Sequence, residues 1–146
     1  MPSILEVLTS KGNLTKTTSH YREGKAILEL GDGFFRFDSR VSRDISVLLA
    51  CMQMNLKEKD FAPLRCLDLM AGCGIRSLRW ALEARRTNPN NKIVDSSFDL
   101  SVNDADFERI PLIERNLRLL KSLGITYQLT NITAEKFLSK SFLKKR

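Results

Sequence analysis

Little in this chain points to a metal or a disulfide. It holds three cysteines, Cys51, Cys66 and Cys73, with no Cys-x-x-Cys pair. That count and spacing fit reduced thiols and argue against a disulfide scaffold or a zinc site. His20 is the single histidine. It cannot complete a metal site with such partners, and nothing local supports a Cys/His nucleophile pair. No metal is therefore expected. No apolar run approaches the ~20 residues that a membrane-spanning helix needs, so no membrane partner is expected either. The first residues lack the charged-then-apolar order of a secretory signal. Residues 7 to 22 are rich in Ser and Thr and contain no acid, a composition that faintly resembles an organellar transit segment. The stretch is short and follows Glu6, so the expected location is cytoplasmic or nuclear, with an organelle as the weaker alternative. No internal repeat or low-complexity tract is visible.

What is present is the composition of an ordinary globular domain. The 146 residues are 42% hydrophobic and 28% charged, a length that suits one domain. The net charge is +7 and the sequence pI about 9.6. Such a surplus is compatible with a polyanionic partner such as RNA, and equally with solubility alone.

The chain divides into a polar segment, residues 1 to 22, and a patterned remainder, residues 23 to 146. Lys25 to Leu30 and Phe34 to Phe37 flank the turn signal Gly31-Asp32-Gly33, which predicts a β-hairpin. Ser42 can cap a helix whose inward face would be Ile45, Leu48, Leu49 and Met52. Lys57 to Pro63 reads as a charged connection. Leu64 to Met70 has the length and apolarity of a buried strand. Ile75, Leu78 and Leu82 define the inward face of a following helix, with Arg76, Arg79, Arg85 and Arg86 largely elsewhere. Thr87 to Asn91 reads as a loop. Phe98, Leu100 and Val102 alternate as a strand, and Asn103-Asp104 stands at its end. Ile110 to Leu123 predicts a helix with Ile113, Leu117 and Leu120 inward, Pro111 in its first turn and Gly124 ending it. Ile125, Tyr127 and Leu129 form a third strand, and Ala134 to Phe142 a last helix. Strand, helix, strand, helix, strand from Leu64 onward is the first half of a doubly wound parallel α/β sheet.

Ligands of such sheets bind beyond the C-terminal strand ends. Three segments fall there: the run Asp68-Leu69-Met70-Ala71-Gly72-Cys73-Gly74, the Asn103-Asp104 pair, and Asn131 to Ala134. Gly72 and Gly74 clear the backbone for a sharp turn and a close ligand approach. Asp104 is placed to accept both hydroxyl hydrogens of a ribose. A nicotinamide dinucleotide site would want G-x-G-x-x-G, but Ser77 stands where the third glycine belongs. Asp68 would also repel a pyrophosphate. S-adenosylmethionine carries no phosphate and a positive sulfonium and amine, so an acid at the first strand's end suits it.

Several ordered segments resemble the tRNA guanosine-26 N2-dimethyltransferases, over roughly residues 23 to 138. Glu23-Gly24-Lys25-Ala26 matches an E-G-K-A element. Arg43-Asp44-Ile45 is similar to N-R-D-[IL], with Ser42 in place of Asn. Gly74-Ile75-Arg76-Ser77-Leu78-Arg79 resembles G-[IL]-R-x-[IL]-R. Asn103-Asp104 matches an N-D pair, and Glu114-Arg115-Asn116 resembles [KE]-R-N. Thr133-Ala134 falls where the family has Asp-Ala. The resemblance implies a Rossmann-like class I methyltransferase sheet and S-adenosylmethionine as cofactor. It implies tRNA as partner and cofactor contacts from Arg43, Arg76, Asp104 and the Thr133-Ala134 position. The Asp68, Gly72 and Gly74 loop joins that set.

Beyond Ser42, the chain departs from the pattern in three places. Phe35-Arg36-Phe37 stands where the family has an aromatic followed by Asn-Pro. Thr133 replaces a carboxylate with a weaker hydroxyl acceptor. The D-P-F-G-[ST]-P run, whose acid is expected to take protons from the guanine amine, does not occur. The expectation is thus the cofactor half of a tRNA guanine-N2 methyltransferase, inactive by itself, ending before that run. The alternatives are a non-catalytic S-adenosylmethionine- or RNA-binding module and, disfavoured by Ser77 and Asp68, a nicotinamide-dependent oxidoreductase.

Overall fold

The structure is a computed structural model that describes residues 20–33, 35–56, 63–84 and 98–143, with the backbone alone for residues 55, 56 and 140–143. Most of the polar segment, Phe34, most of the charged connection, the Thr87–Asn91 loop, Arg85 and Arg86, and the basic run Lys144–Arg146 lie outside the described residues.

A parallel three-stranded sheet carries the fold. Strands β3 (Leu64–Asp68), β4 (Phe98–Asn103) and β5 (Tyr127–Thr130) lie in that order. Leu64 pairs with Phe98 and Asp68 with Val102 across the first ladder, and Leu100 with Tyr127 across the second. Helix α2 (Ile75–Glu83) connects toward β4, α3 (Ile110–Ser122) connects β4 to β5, and α4 (Ala134–Leu143) follows β5. Alternate residues of β4 turn Phe98, Leu100 and Val102 into the core. They meet Leu78 of α2 and Ile113, Leu117 and Leu120 of α3, all almost fully buried. Period two on the strand and three-to-four on the helices is the pattern that makes this packing. Gly124, at φ +72°, ends α3 in the left-handed region. This mixed α/β arrangement agrees with the sheet expected from the sequence.

A β-hairpin does precede the sheet, but not at the expected place. It pairs β1 (His20–Glu23) with β2 (Ala26–Glu29) in antiparallel register. The turn is Gly24-Lys25, with Gly24 at φ +57°, rather than Gly31-Asp32-Gly33. Phe35 and Phe37 are not strand residues. They stack edge-to-face with Tyr21 at ring separations of 5.1 and 5.5 Å and with each other at 5.0 Å, and the chain enters a 3-10 turn at Phe37–Ser39. Aromatic packing onto the hairpin replaces the strand pairing that their composition suggested.

Helix α1 (Arg40–Leu56) starts before Ser42 and is rolled away from the expected face. Ile45, Leu48, Leu49 and Met52 are between 52% and 62% exposed, while Arg43, Val47, Ala50 and Met54 are buried. Two charged contacts hold that roll. Arg43 is bound to Glu23 of β1, and Asp44 to Arg79 of α2. Arg79, expected off the apolar face, is itself buried.

Candidate cofactor site

The loop after β3 is held by polar contacts from three directions. Gly72 and Gly74 sit at φ +61° and +79°, where a side chain would be strained. Ala71 N–H donates to the Asn103 carbonyl at 2.9 Å, and Gly74 N–H closes a turn onto the Ala71 carbonyl at 2.8 Å. The Cys73 carbonyl accepts from the Asn116 amide of α3 at 2.8 Å. Gly74, at the N-cap of α2, has no side chain to cap that helix. Asp68 does it from the end of β3: one carboxylate oxygen accepts from Ser77 N–H at 3.2 Å and Ser77 Oγ at 2.8 Å. Ser77 therefore has a use for its hydroxyl where a dinucleotide motif would have glycine. Burial pushes the Asp68 carboxyl above its ordinary range, against the opposing pull of the Ser77 hydroxyl and the Arg76 charge.

Above this loop lies a pocket of about 190 Å³. One wall is Phe35, Arg36, Ser39 and Arg43. The other comes from the loop after β3 and the start of α2, with Asp68, Gly72 and Arg76 among its residues. Two features bear on what it could hold. A methyl group at Gly72 would meet no atom within 4 Å, so the glycine floor faces open space. Arg76 Nε is buried and has no hydrogen-bond partner among the described residues. An unpaired buried cationic donor costs stability unless something completes it. Arg76 also lines the pocket, and a guanidinium can hold a carboxylate through charge-assisted bonds.

Arg43 reaches the pocket as part of a buried ion network. Its Nε and Nη2 donate to the two oxygens of Glu23 at 2.8 and 2.7 Å, and its Nη1 to the Arg36 carbonyl at 3.0 Å. Its guanidinium also lies 4.9 Å from the Phe35 ring centre. Glu23 further accepts from the Tyr21 hydroxyl at 2.9 Å and from Arg79 Nη1 at 2.8 Å. Arg79 continues to Asp44 and, with two donors, to Glu83. Burial alone would raise the Glu23 carboxyl. Hydrogen bonds from Arg43, Tyr21 and Arg79, with the Arg43 charge, more than reverse this and hold it below its ordinary range. Removing one partner of such a buried pair costs about 3–5 kcal/mol.

Asp104, just beyond β4, binds the loop rather than lining that pocket. One oxygen accepts from Gly72 N–H at 2.7 Å and the other from Asp106 N–H at 3.0 Å. A carboxylate has further lone pairs for ribose hydroxyls. Asn103, wholly buried, ties the three strand ends together. Its amide donates to the carbonyls of Leu69 and Ile132, both at 2.9 Å. Its oxygen accepts from Thr130 Oγ1 and Ile132 N–H. Thr133 is exposed and receives a 3.3 Å bond from Lys136 N–H at the start of α4, with Ala134 half-buried beside it. The structure thus gathers Arg43, Asp68, Gly72 and Arg76 around one pocket and links Asp104 to it through Gly72. Gly74 lies under the loop against α3, and Thr133-Ala134 stands on the β5 side, joined by Asn103.

Sequence reading missed the work of Glu23, Asn103 and Asn116, although each lies in a segment it singled out. Asn116 pairs with both backbone groups of Glu29, at 2.9 and 2.8 Å, while also holding Cys73. Those bonds lock the hairpin, the loop and α3 together. A larger cavity, about 350 Å³, lies between the Gly31–Gly33 turn and the start of α3. Its arginines face carboxylates already: Arg109 lies 3.5 Å from Asp106 and Arg115 3.6 Å from Glu29. The smaller pocket is the one that gathers Arg43, Asp68, Gly72 and Arg76. Among the described residues no group of side chains could hold a metal ion, and no helix is long and apolar enough to cross a membrane.

The parallel three-stranded sheet with its helices is consistent with a partial Rossmann-like fold. The model of the N2,N2-dimethylguanosine tRNA methyltransferases matches residues 16–144, and the chain belongs to that family. Membership implies guanine-N2 methyl transfer and a tRNA substrate. No curated protein matches the chain.

Proposed function

We propose that these residues form the S-adenosylmethionine site of a class I tRNA methyltransferase that dimethylates guanosine-26. The observation that carries the cofactor reading is the gathering of Arg43, Gly72 and Arg76 around one pocket, with Arg76 Nε lacking a partner among the described residues. The cofactor would supply a methyl group activated by a neighbouring sulfonium. Arg76, with Arg43 on the facing wall, would hold its carboxylate through charge-assisted bonds. Gly72 and Gly74 would keep the loop's conformation, and Gly72 would let the ligand lie against the backbone. Asp104 would hold the ribose with the lone pairs left over from Gly72 and Asp106, and Thr133-Ala134 would border the base. The buried Asp68 would keep α2 and its arginine in place. Proximity and alignment are what such residues contribute to a direct transfer, and the target base must leave its stack to reach the methyl. The net charge of +7 supports a salt-sensitive attraction to tRNA.

The Asp-Pro-Phe-Gly acid is not among the 146 residues. We therefore expect the chain by itself to bind cofactor without methylating tRNA. Calorimetry with S-adenosylhomocysteine and, in parallel, a nicotinamide dinucleotide tests the first half. Saturable binding of the former alone is expected, and preference for the dinucleotide would overturn the reading. Labelled S-adenosylmethionine with unmodified tRNA tests the second. Robust formation of N2-methylguanosine would show that residues within the chain supply the proton acceptor.

A further inference from the structure

Arg43 faces the pocket with its donors partly spoken for. Glu23 takes the Nε and Nη2 edge and the Arg36 carbonyl takes one Nη1 hydrogen. Among the described residues, one N–H therefore remains unbound on each of Nη1 and Nη2. Glu23 has no exposed side-chain surface, and the side chain of Arg43 keeps only 6% of its own. Glu23 is in turn oriented by Tyr21 from its own strand and by Arg79 from α2. Arg79 grips α1 again through Asp44 and its own helix through Glu83. The same carboxylate thus touches both walls of the pocket: α1 through Arg43, and the helix that follows the glycine loop through Arg79. A long arginine side chain loses several rotatable bonds when it binds an anion. Here that freedom is removed before a ligand arrives, which is how preorganisation raises affinity.

We propose that Glu23 is a positioning residue for the cofactor: it fixes the Arg43 guanidinium so that its remaining N–H pair takes the carboxylate of the amino-acid end. The inference rests on the cofactor reading above. Glu23 acts through Arg43 and touches no ligand itself. Its effect is therefore confined to ligands that carry the carboxylate. Tyr21 and Arg79 orient Glu23, and the Gly24 turn brings it to them.

Two nucleosides separate the roles. S-adenosylhomocysteine has the amino-acid end, and 5′-methylthioadenosine shares the adenosine and sulfur but lacks it. In the full 146-residue chain, Glu23→Gln is expected to weaken S-adenosylhomocysteine about ten-fold, the scale of a charge-assisted pair lost or misaligned. It should leave 5′-methylthioadenosine within about two-fold. Glu23→Asp keeps the network's charge and shortens the arm by one methylene, so it remains informative if Glu23→Gln does not fold. It should weaken S-adenosylhomocysteine about five-fold with the same selectivity. Equal weakening of both nucleosides would make Glu23 a general support of the pocket and overturn the proposal. So would unchanged S-adenosylhomocysteine affinity in either folded variant. If the unsubstituted chain binds neither nucleoside, the cofactor reading falls and this inference falls with it. Binding by that chain without selectivity in the variants overturns the positioning role alone.

Discussion

Replacing each loop glycine by alanine separates conformational strain from ligand exclusion. Both glycines are left-handed, Gly72 at φ +61° and Gly74 at φ +79°. An L-residue there costs about 1–2 kcal/mol. The space around them differs. At Gly74 a methyl group would sit 3.5 Å from Ile113 and Leu117, ordinary contact that adds no clash. At Gly72 it would meet nothing within 4 Å and would stand in the pocket. The two variants should therefore lose similar stability, a Tm drop of roughly 3–8 °C for a domain of this size. Their ligand affinities should part. A methyl group forced against a bound ligand costs about 1–3 kcal/mol, or roughly 5- to 150-fold. Gly72→Ala is expected to lose S-adenosylhomocysteine affinity on that scale, while Gly74→Ala stays within about three-fold. Thermal melts and calorimetry on both proteins give the comparison. Equal affinity losses, or intact binding by a folded Gly72→Ala, would refute the claim that the ligand lies on the Gly72 floor.

Asn103→Ala removes the hub of the strand ends, leaving the Leu69 and Ile132 carbonyls without that donor. It should lower denaturant stability by about 2–4 kcal/mol, counting more than one unmade buried bond. A loss under about 0.5 kcal/mol would show that water replaces it. Arg76→Met keeps the volume and deletes a charged group whose Nε has no partner among the described residues. Its Tm should move little while S-adenosylhomocysteine affinity falls at least about ten-fold, and unchanged affinity in calorimetry would remove Arg76 from the site. The Glu23 carboxyl is held below its ordinary range in the folded chain. Its stabilisation is present above the unfolded Glu value and is lost as pH falls through the depressed folded value. The raised Asp68 carboxyl acts with the opposite sign, so the difference between the unsubstituted chain and Glu23→Gln is the quantity to follow. That difference, read from urea titrations, should be constant near neutrality and shrink in acid. A difference that widens in acid contradicts the ion-pair assignment.

The sheet and its packing helix were legible because local pattern and burial agree there. Phe98, Leu100 and Val102 alternate, Ile113, Leu117 and Leu120 recur at helical spacing, and all six are buried. The loop was legible because two glycines after an apolar strand have few other uses. The roll of α1 was not. Its most apolar stripe lies outward, because the ion pairs to Glu23 and Arg79, far away in sequence, decide which face turns in. The hairpin was displaced by a similar long-range fit: Gly24 turns directly against the Glu83 carboxylate, where a side chain would collide. Asp104 was legible as an acid at a strand end. Its grip on Gly72 N–H was not, since that depends on how two loops meet.

A crystal of the chain grown with S-adenosylhomocysteine tests the central claim most directly. The expected result is the amino-acid end between Gly72, Arg43 and Arg76, with the ribose at Asp104. Density instead in the cavity beside Arg109 and Arg115, or a carboxylate out of reach of both Arg43 and Arg76, would contradict the assignment of the cofactor site.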